Sequence, residues 1–127
     1  MSTPYQKFTK LVYEVNKKSP VIDAAVLVNS DGLILASAVQ KQHSDERIGA
    51  LGAQFASQCE QFSQSVGHGE FEINLLSSKS GYVVISNLKN KIYFVAKAYE
   101  KADIAVVMSS SIKVVNELKR IEEDFLI

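Results

Sequence analysis

Two periods of hydrophobic recurrence divide this chain. The longest helical stretch runs from Ser44 to Gly69, where Ile48, Leu51, Gly52, Phe55, Cys59, Phe62 and Val66 recur at steps of three and four, the spacing of one buried face. Ser44 is placed to cap the first turn, and Asp45 and Glu46 put negative charge where the helix dipole favours it. Gly67 and Gly69 end the run, since Gly enters a left-handed C-terminal cap without a Cβ clash. The pattern predicts about 20 helical residues, roughly 30 Å long. Beside the apolar stripe, Gly49, Ala53 and Ala56 form a strip of small residues that would admit another backbone closely. Opposite lie Arg47, Ala50, Gln54, Ser57, Gln58, Gln61 and Ser65, polar but nearly uncharged. A merely solvated face more often carries Glu and Lys pairs, so this one is either solvated or a docking face.

The remaining pattern fills in around that helix. Thr3-Pro4 is a helix start, Tyr5, Phe8, Leu11, Val12 and Val15 form one face, and Pro20 stops it. Val21 to Val28 and Leu33 to Val39 are nearly continuous in apolar character, and Asn29-Ser30-Asp31-Gly32 between them is a tight-turn signal, giving a β-hairpin. Asp31 is expected to be a turn residue rather than a catalytic group or ligand. After the long helix, Phe71, Ile73 and Leu75 alternate with Glu70, Glu72 and Asn74, a strand with one wet or edge-facing side. Ser77 to Gly81 read as a loop, and Tyr82 to Ser86 and Ile92 to Ala98 as two more strands of a meander. From Asp103, a plausible cap, Ile104, Val107, Met108, Ser111, Val115, Leu118 and Phe125 return to the helical period. A rival reading makes Ile104 to Met108 a strand.

The order helix, two strands, helix, three strands, helix predicts an α/β (α+β) domain. It is a five-stranded antiparallel sheet with helices on both faces, because strands apolar on both sides need cover on both. One domain over residues 1–127 is the natural count, and no linker, repeat or low-complexity segment interrupts it.

Composition narrows the function. The chain is 46% hydrophobic and 22% charged, ordinary for a globular protein. Fourteen basic and fourteen acidic residues cancel, with no basic stripe, which argues against nucleic acid. Neither a signal peptide nor a membrane span is recognisable, and Cys59 is the single cysteine. A cytoplasmic protein without membrane insertion is expected, with Cys59 a small hydrophobe on the apolar stripe. His43 and His68 are the only histidines, and one Cys with two scattered His makes no zinc pattern. No nucleophile elbow, phosphate loop or dinucleotide fingerprint occurs, and Gly67-His68-Gly69 follows a helix where a phosphate cradle would precede one. No enzyme, cofactor or metal site is expected.

The Val21 to Val39 hairpin with its Asp31-Gly32 turn, the Ala/Gly-rich helix leaving through Gly67-His68-Gly69-Glu70, and Gly81-Tyr82-Val83-Val84 together resemble the roadblock family, named from the dynein light chain roadblock. The resemblance spans residues 8–121, departing at Ala105, where many members have Gly. It implies a profilin-like sandwich, with the long helix on one face of the sheet and the terminal helices on the other. It also implies a dimer, of two identical chains or with a roadblock paralogue, in which third strands pair edge to edge and central helices lie side by side. Carried to this chain, the interface would use Phe71, Ile73 and Leu75 of the strand and Gly49, Ala53 and Ala56 of the helix. An edge strand is a pairing hazard unless covered, which suggests the same surface independently. Members regulate or scaffold Ras-like small GTPases. The partner implied is such a GTPase, docked on Arg47, Ala50, Gln54, Ser57, Gln58 and Gln61, with no need for Arg47 as an arginine finger. Two alternatives stand beside this one. A PAS- or GAF-like sensor would need a polar-lined cavity, for which Ser37 and Ser111 are few, and a structural subunit would bind without regard to nucleotide.

Overall fold

The computed structural model describes residues 3–18, 21–39, 44–99 and 102–125. Pro20 and His43, and the side chains of Tyr5 and Phe125, lie outside the described residues. The elements are α1 (Pro4–Lys18), β1 (Ile22–Asn29), β2 (Ile34–Val39), α2 (Asp45–Ser65), β3 (Ile73–Ser78), β4 (Gly81–Asn87), β5 (Ile92–Tyr99) and α3 (Ile104–Phe125). The strands form one sheet in the order β2-β1-β5-β4-β3, every neighbouring pair antiparallel.

Local chemistry sets the helix ends. Thr3 and Gln6 make a reciprocal capping box at α1: Gln6 N–H donates to Thr3 Oγ1 at 3.1 Å, and Thr3 N–H to Gln6 Oε1 at 2.9 Å. Ser44 caps α2, its Oγ accepting from Arg47 N–H at 3.2 Å. α2 closes in a Schellman motif, with His68 N–H donating to Ser63 C=O and Gly67 N–H to Gln64 C=O, each at 3.0 Å. The residue after the cap, Gly67, takes φ +82°, which is why glycine stands there. Asp103 caps α3 through Ala105 N–H at 2.8 Å, so residues 104–108 open a helix and the rival strand is excluded.

Alternation along the strands divides the core in two. On one face Phe8, Leu11, Val12 and Val15 of α1 and Val114, Val115 and Leu118 of α3 pack on Ala25, Leu27, Phe94 and Ala96. On the other, α2 packs alone on Val26, Val28, Ile85, Tyr93 and Val95. The strands are therefore apolar on both sides for the expected reason. Asp23 is the exception in β1: at a register shift against β5 its Oδ2 lies 3.4 Å from Lys97 Nζ, a partly buried ion pair that the apolar run concealed.

Two strand boundaries move by more than one residue. β3 begins at Ile73 and takes in Ser77 and Ser78, which the sequence assigned to a loop, leaving Lys79 and Ser80 as a two-residue turn. Ser77 and Ser78 have low strand propensity but stand opposite Tyr82 and Gly81, so pairing with β4 overrides it. Phe71 lies before the strand. No helix among the described residues is long and apolar enough to cross a membrane.

Candidate functional site

α2 meets the sheet through its smallest residues. Gly49, Gly52, Ala53 and Ala56 are its buried positions. A Cβ at Gly49 would stand 2.4 Å from Ile34 Cδ1, and one at Gly52 2.7 Å from Val95 Cγ2. The branched strand side chains thus supply the bulk of this layer and the helix supplies the room. The expectation that Gly49, Ala53 and Ala56 face a second helix is therefore corrected, because all three are buried against the chain's own sheet. Phe71 is corrected likewise. It is buried beneath α2, its N–H donating to Glu60 Oε2 at 2.8 Å and its C=O accepting from Asn87 Nδ2 at 2.9 Å. It anchors the entry to β3 and is unavailable at an edge.

The stripe expected in the core is instead turned outward. It lies roughly 110° round the helix from the small residues at 100° per residue. Leu51, Phe62 and Val66 are 56%, 72% and 49% exposed, while Ile48, Phe55 and Cys59 sit half-buried at the margin. Cys59, Phe62 and Val66 face Glu72, Ile73 and Asn74 across an open groove between the end of α2 and the start of β3. Burial raises the Cys59 thiol pKa, which leaves it protonated and poorly nucleophilic. Ile73 and Leu75 are half-buried toward Val84, Ala98 and Val107, and Leu76 is exposed on the α2 side of the same strand. β3 is a terminal strand of the sheet.

The third face of α2 matches its sequence reading. Arg47, Ala50, Gln54, Ser57, Gln58 and Gln61 are all exposed on one side of the helix. From Ala50 to Gln61 they run into Ser30, Asp31 and Gly32 of the β1–β2 turn, and together they line a shallow groove. The turn leans on the helix, with a Cβ at Gly32 falling 3.6 Å from Ala50 Cα. Asn29 builds this turn, its Oδ1 accepting from Asp31 and Leu33 N–H at 2.9 and 3.1 Å. Asp31 is a turn residue as expected, exposed beside the helix, while the side chain that holds the turn is that of Asn29. Sequence reading did not join this turn to the helix face, because only the close approach at Ala50 brings them together.

A further finding concerns most of the chain: the family model of the Roadblock/LC7 domain matches residues 9–98. The chain belongs to the Roadblock/LC7 family. Among solved structures, it is similar to Myxococcus xanthus MglB, with a TM-score of 0.87 at 16% identity, covering 98% of this chain and 94% of that one. A Roadblock/LC7 domain from Streptomyces avermitilis aligns with a TM-score of 0.77 at 19% identity, covering 88% of this chain and 94% of that one. Acanthamoeba castellanii profilin II aligns with a TM-score of 0.59 at 13% identity, covering 87% and 95% respectively. No curated protein matches the sequence significantly.

Two polar residues within the layers of the roadblock sandwich are paired inside it. Ser37 Oγ donates to Asp45 Oδ2 at 3.1 Å, and Ser111 Oγ to Val107 C=O at 2.7 Å. Both hydroxyls raised as sensor-pocket candidates are thereby spent on helix and strand contacts. His68 sits exposed in the turn after α2, and among the described residues no group of three or more His, Cys, Asp and Glu could hold a metal ion.

Proposed function

We propose that this chain is a single-domain, non-catalytic roadblock module of the cytoplasm, which dimerises and binds a small Ras-like GTPase to regulate or anchor it. The observation that carries the reading is that α2 presents two exposed faces of opposite chemistry. The apolar one, Leu51, Phe62 and Val66, adjoins the unpaired edge of β3 and suits a second copy. The same patch on each subunit then covers the other's, as a two-fold dimer requires. The polar one, Arg47 to Gln61, stays open and extends over the β1–β2 turn, and suits a partner that is exchanged. Its scarcity of charge favours hydrogen bonding and shape over electrostatic steering.

Affinity capture from native lysate, with GDP or a non-hydrolysable GTP analogue added, tests the GTPase. Capture of a small GTPase in one nucleotide state supports regulation. Capture of one assembly irrespective of nucleotide makes the module a scaffold, and a bound metabolite on purification moves it to the sensor class.

A further inference from the structure

The side of the molecule opposite α2 has a surface chemistry of its own. α1 and α3 pack against each other there over one half of the core. Ile22 stands opposite Ala98, so α1 ends and α3 begins at the same end of the sheet. At 100° per residue, Lys10, Tyr13 and Lys17 lie on the side of α1 opposite the buried Phe8, Leu11, Val12 and Val15. On α3, Ile112, Lys113 and Arg120 lie opposite Val107, Val114 and Leu118. All six outward residues are exposed, Tyr13 to 64%.

Among the described side chains, no carboxylate falls on this strip. Glu14 and Glu117 are half-buried at its flanks, and Asp103 sits at the cap of α3. Glu122, Glu123 and Asp124 follow in the last turn of α3, with side chains outside the described residues. The strip was hidden in the sequence because its four cations come from opposite ends of the chain, and only the packing of α1 on α3 joins them. The other side of the molecule is acidic. Residues 45–72, which make up α2 and its exit, carry Asp45, Glu46, Glu60, Glu70 and Glu72 against Arg47. A net charge of zero is therefore divided between two sides.

We propose that the α1–α3 face adsorbs to an anionic lipid surface, with Lys10, Lys17, Lys113 and Arg120 on the headgroup charge and Tyr13 and Ile112 at headgroup level. Lys is depleted at protein–protein interfaces, which sets this strip apart from a protein-docking patch. Tyr suits the boundary, with an apolar ring and a wet hydroxyl. Lys17 Nζ lies 6.0 Å from the centroid of the Tyr13 ring, so charge and ring are presented together. Nothing enters the bilayer, because the apolar sides of both helices stay in the core. Each cation near an anionic leaflet contributes about fivefold to partitioning, so four give reversible adsorption. The same surface potential repels the acidic side and leaves α2 facing outward. This inference goes beyond the GTPase reading and does not depend on it.

The test is flotation of the full chain with vesicles of phosphatidylcholine, alone or with about 30% phosphatidylserine, at about 0.1 M salt. The chain is expected to float only with phosphatidylserine present, and to be released at about 0.5 M salt. Lys10→Glu with Lys17→Glu should lower partitioning at least about tenfold. Lys79→Glu with Lys91→Glu, an equal change of net charge placed in the β3–β4 and β4–β5 turns, should lower it by less than about threefold. Far-UV spectra of both double variants should match the parent, since all four positions are exposed. Equal losses in the two double variants would mean that net charge alone is read, and would overturn the assigned face. Flotation with phosphatidylcholine alone, or none with phosphatidylserine, overturns the proposal outright.

Discussion

Gly52 shows how much of this fold rests on an absent side chain. A methyl group there would stand 2.7 Å from Cγ2 of Val95, a branched side chain buried in the middle of the sheet with little freedom to swing aside. Alanine gains about 1 kcal/mol of helix propensity over glycine, and overpacking costs about 1–3 kcal/mol. Gly52→Ala is therefore expected to lower stability by a net of about 1 kcal/mol in urea unfolding, where an exposed helical glycine would gain by the same change. Glu60 is the polar counterpart. Its carboxylate holds Phe71 N–H and Gln64 Nε2, so Glu60→Ala should cost about 1–2 kcal/mol by leaving the Phe71 amide unpaired. Burial, and secondarily the Glu60 charge, raise the Tyr93 phenol above its ordinary pKa of 10.0. With the folded value raised, the unfolded chain releases this proton first. The associated stability is complete below the ordinary value and is lost as pH rises through the shifted one. Tyr93→Phe should show a flatter alkaline limb in a pH series of urea midpoints. None of these roles was legible in the sequence. Glu60 reads as one more helix charge, and its partners are Gln64, one helical turn on, and the buried Phe71, 11 positions away.

At the scale of elements, periodicity identified every helix and strand of this sheet and misplaced one face. Counting hydrophobicity selected Leu51, Phe55, Phe62 and Val66 as the core side of α2. The sheet beneath it is built of Val26, Val28 and Val95, whose volume leaves space only for glycine and alanine. Burial here follows fit between layers, and the more apolar stripe is left exposed. The polar face needed no such correction, since Gln and Ser identify a solvent-facing side whatever the core is. Phe62→Asp should thus leave the far-UV spectrum unchanged and, at chain concentrations too low for dimers, the urea midpoint within about 0.5 kcal/mol of the parent, as an exposed position does. Light scattering should nevertheless report a shift from dimer to monomer. A loss of folding instead would mean that Phe62 belongs to the chain's own core. β3 extends to Ser78 because its pairing with β4, a long-range contact, outweighs the propensity of Ser77 and Ser78.

For the whole molecule, the order of elements was enough to reach the sandwich, because alternation and helical period leave few ways to cover both faces of five strands. Strand order follows from the same constraint: β3, β4 and β5 run as a meander, β1 completes the middle, and β2 and β3 are left as edges. One edge lies under α1 and α2, and the other adjoins the exposed stripe. In the proposed function, that asymmetry assigns one side to self-association and the polar side of α2 to a partner. The most direct test of this division compares parent and Gln54→Lys chains as baits in lysate charged with GDP or a non-hydrolysable GTP analogue. The account predicts that the parent captures a small GTPase in one nucleotide state, and that Gln54→Lys reduces the yield by about tenfold, the worth of one disrupted interface contact, while remaining folded and dimeric. Capture that is equal for both baits would contradict it.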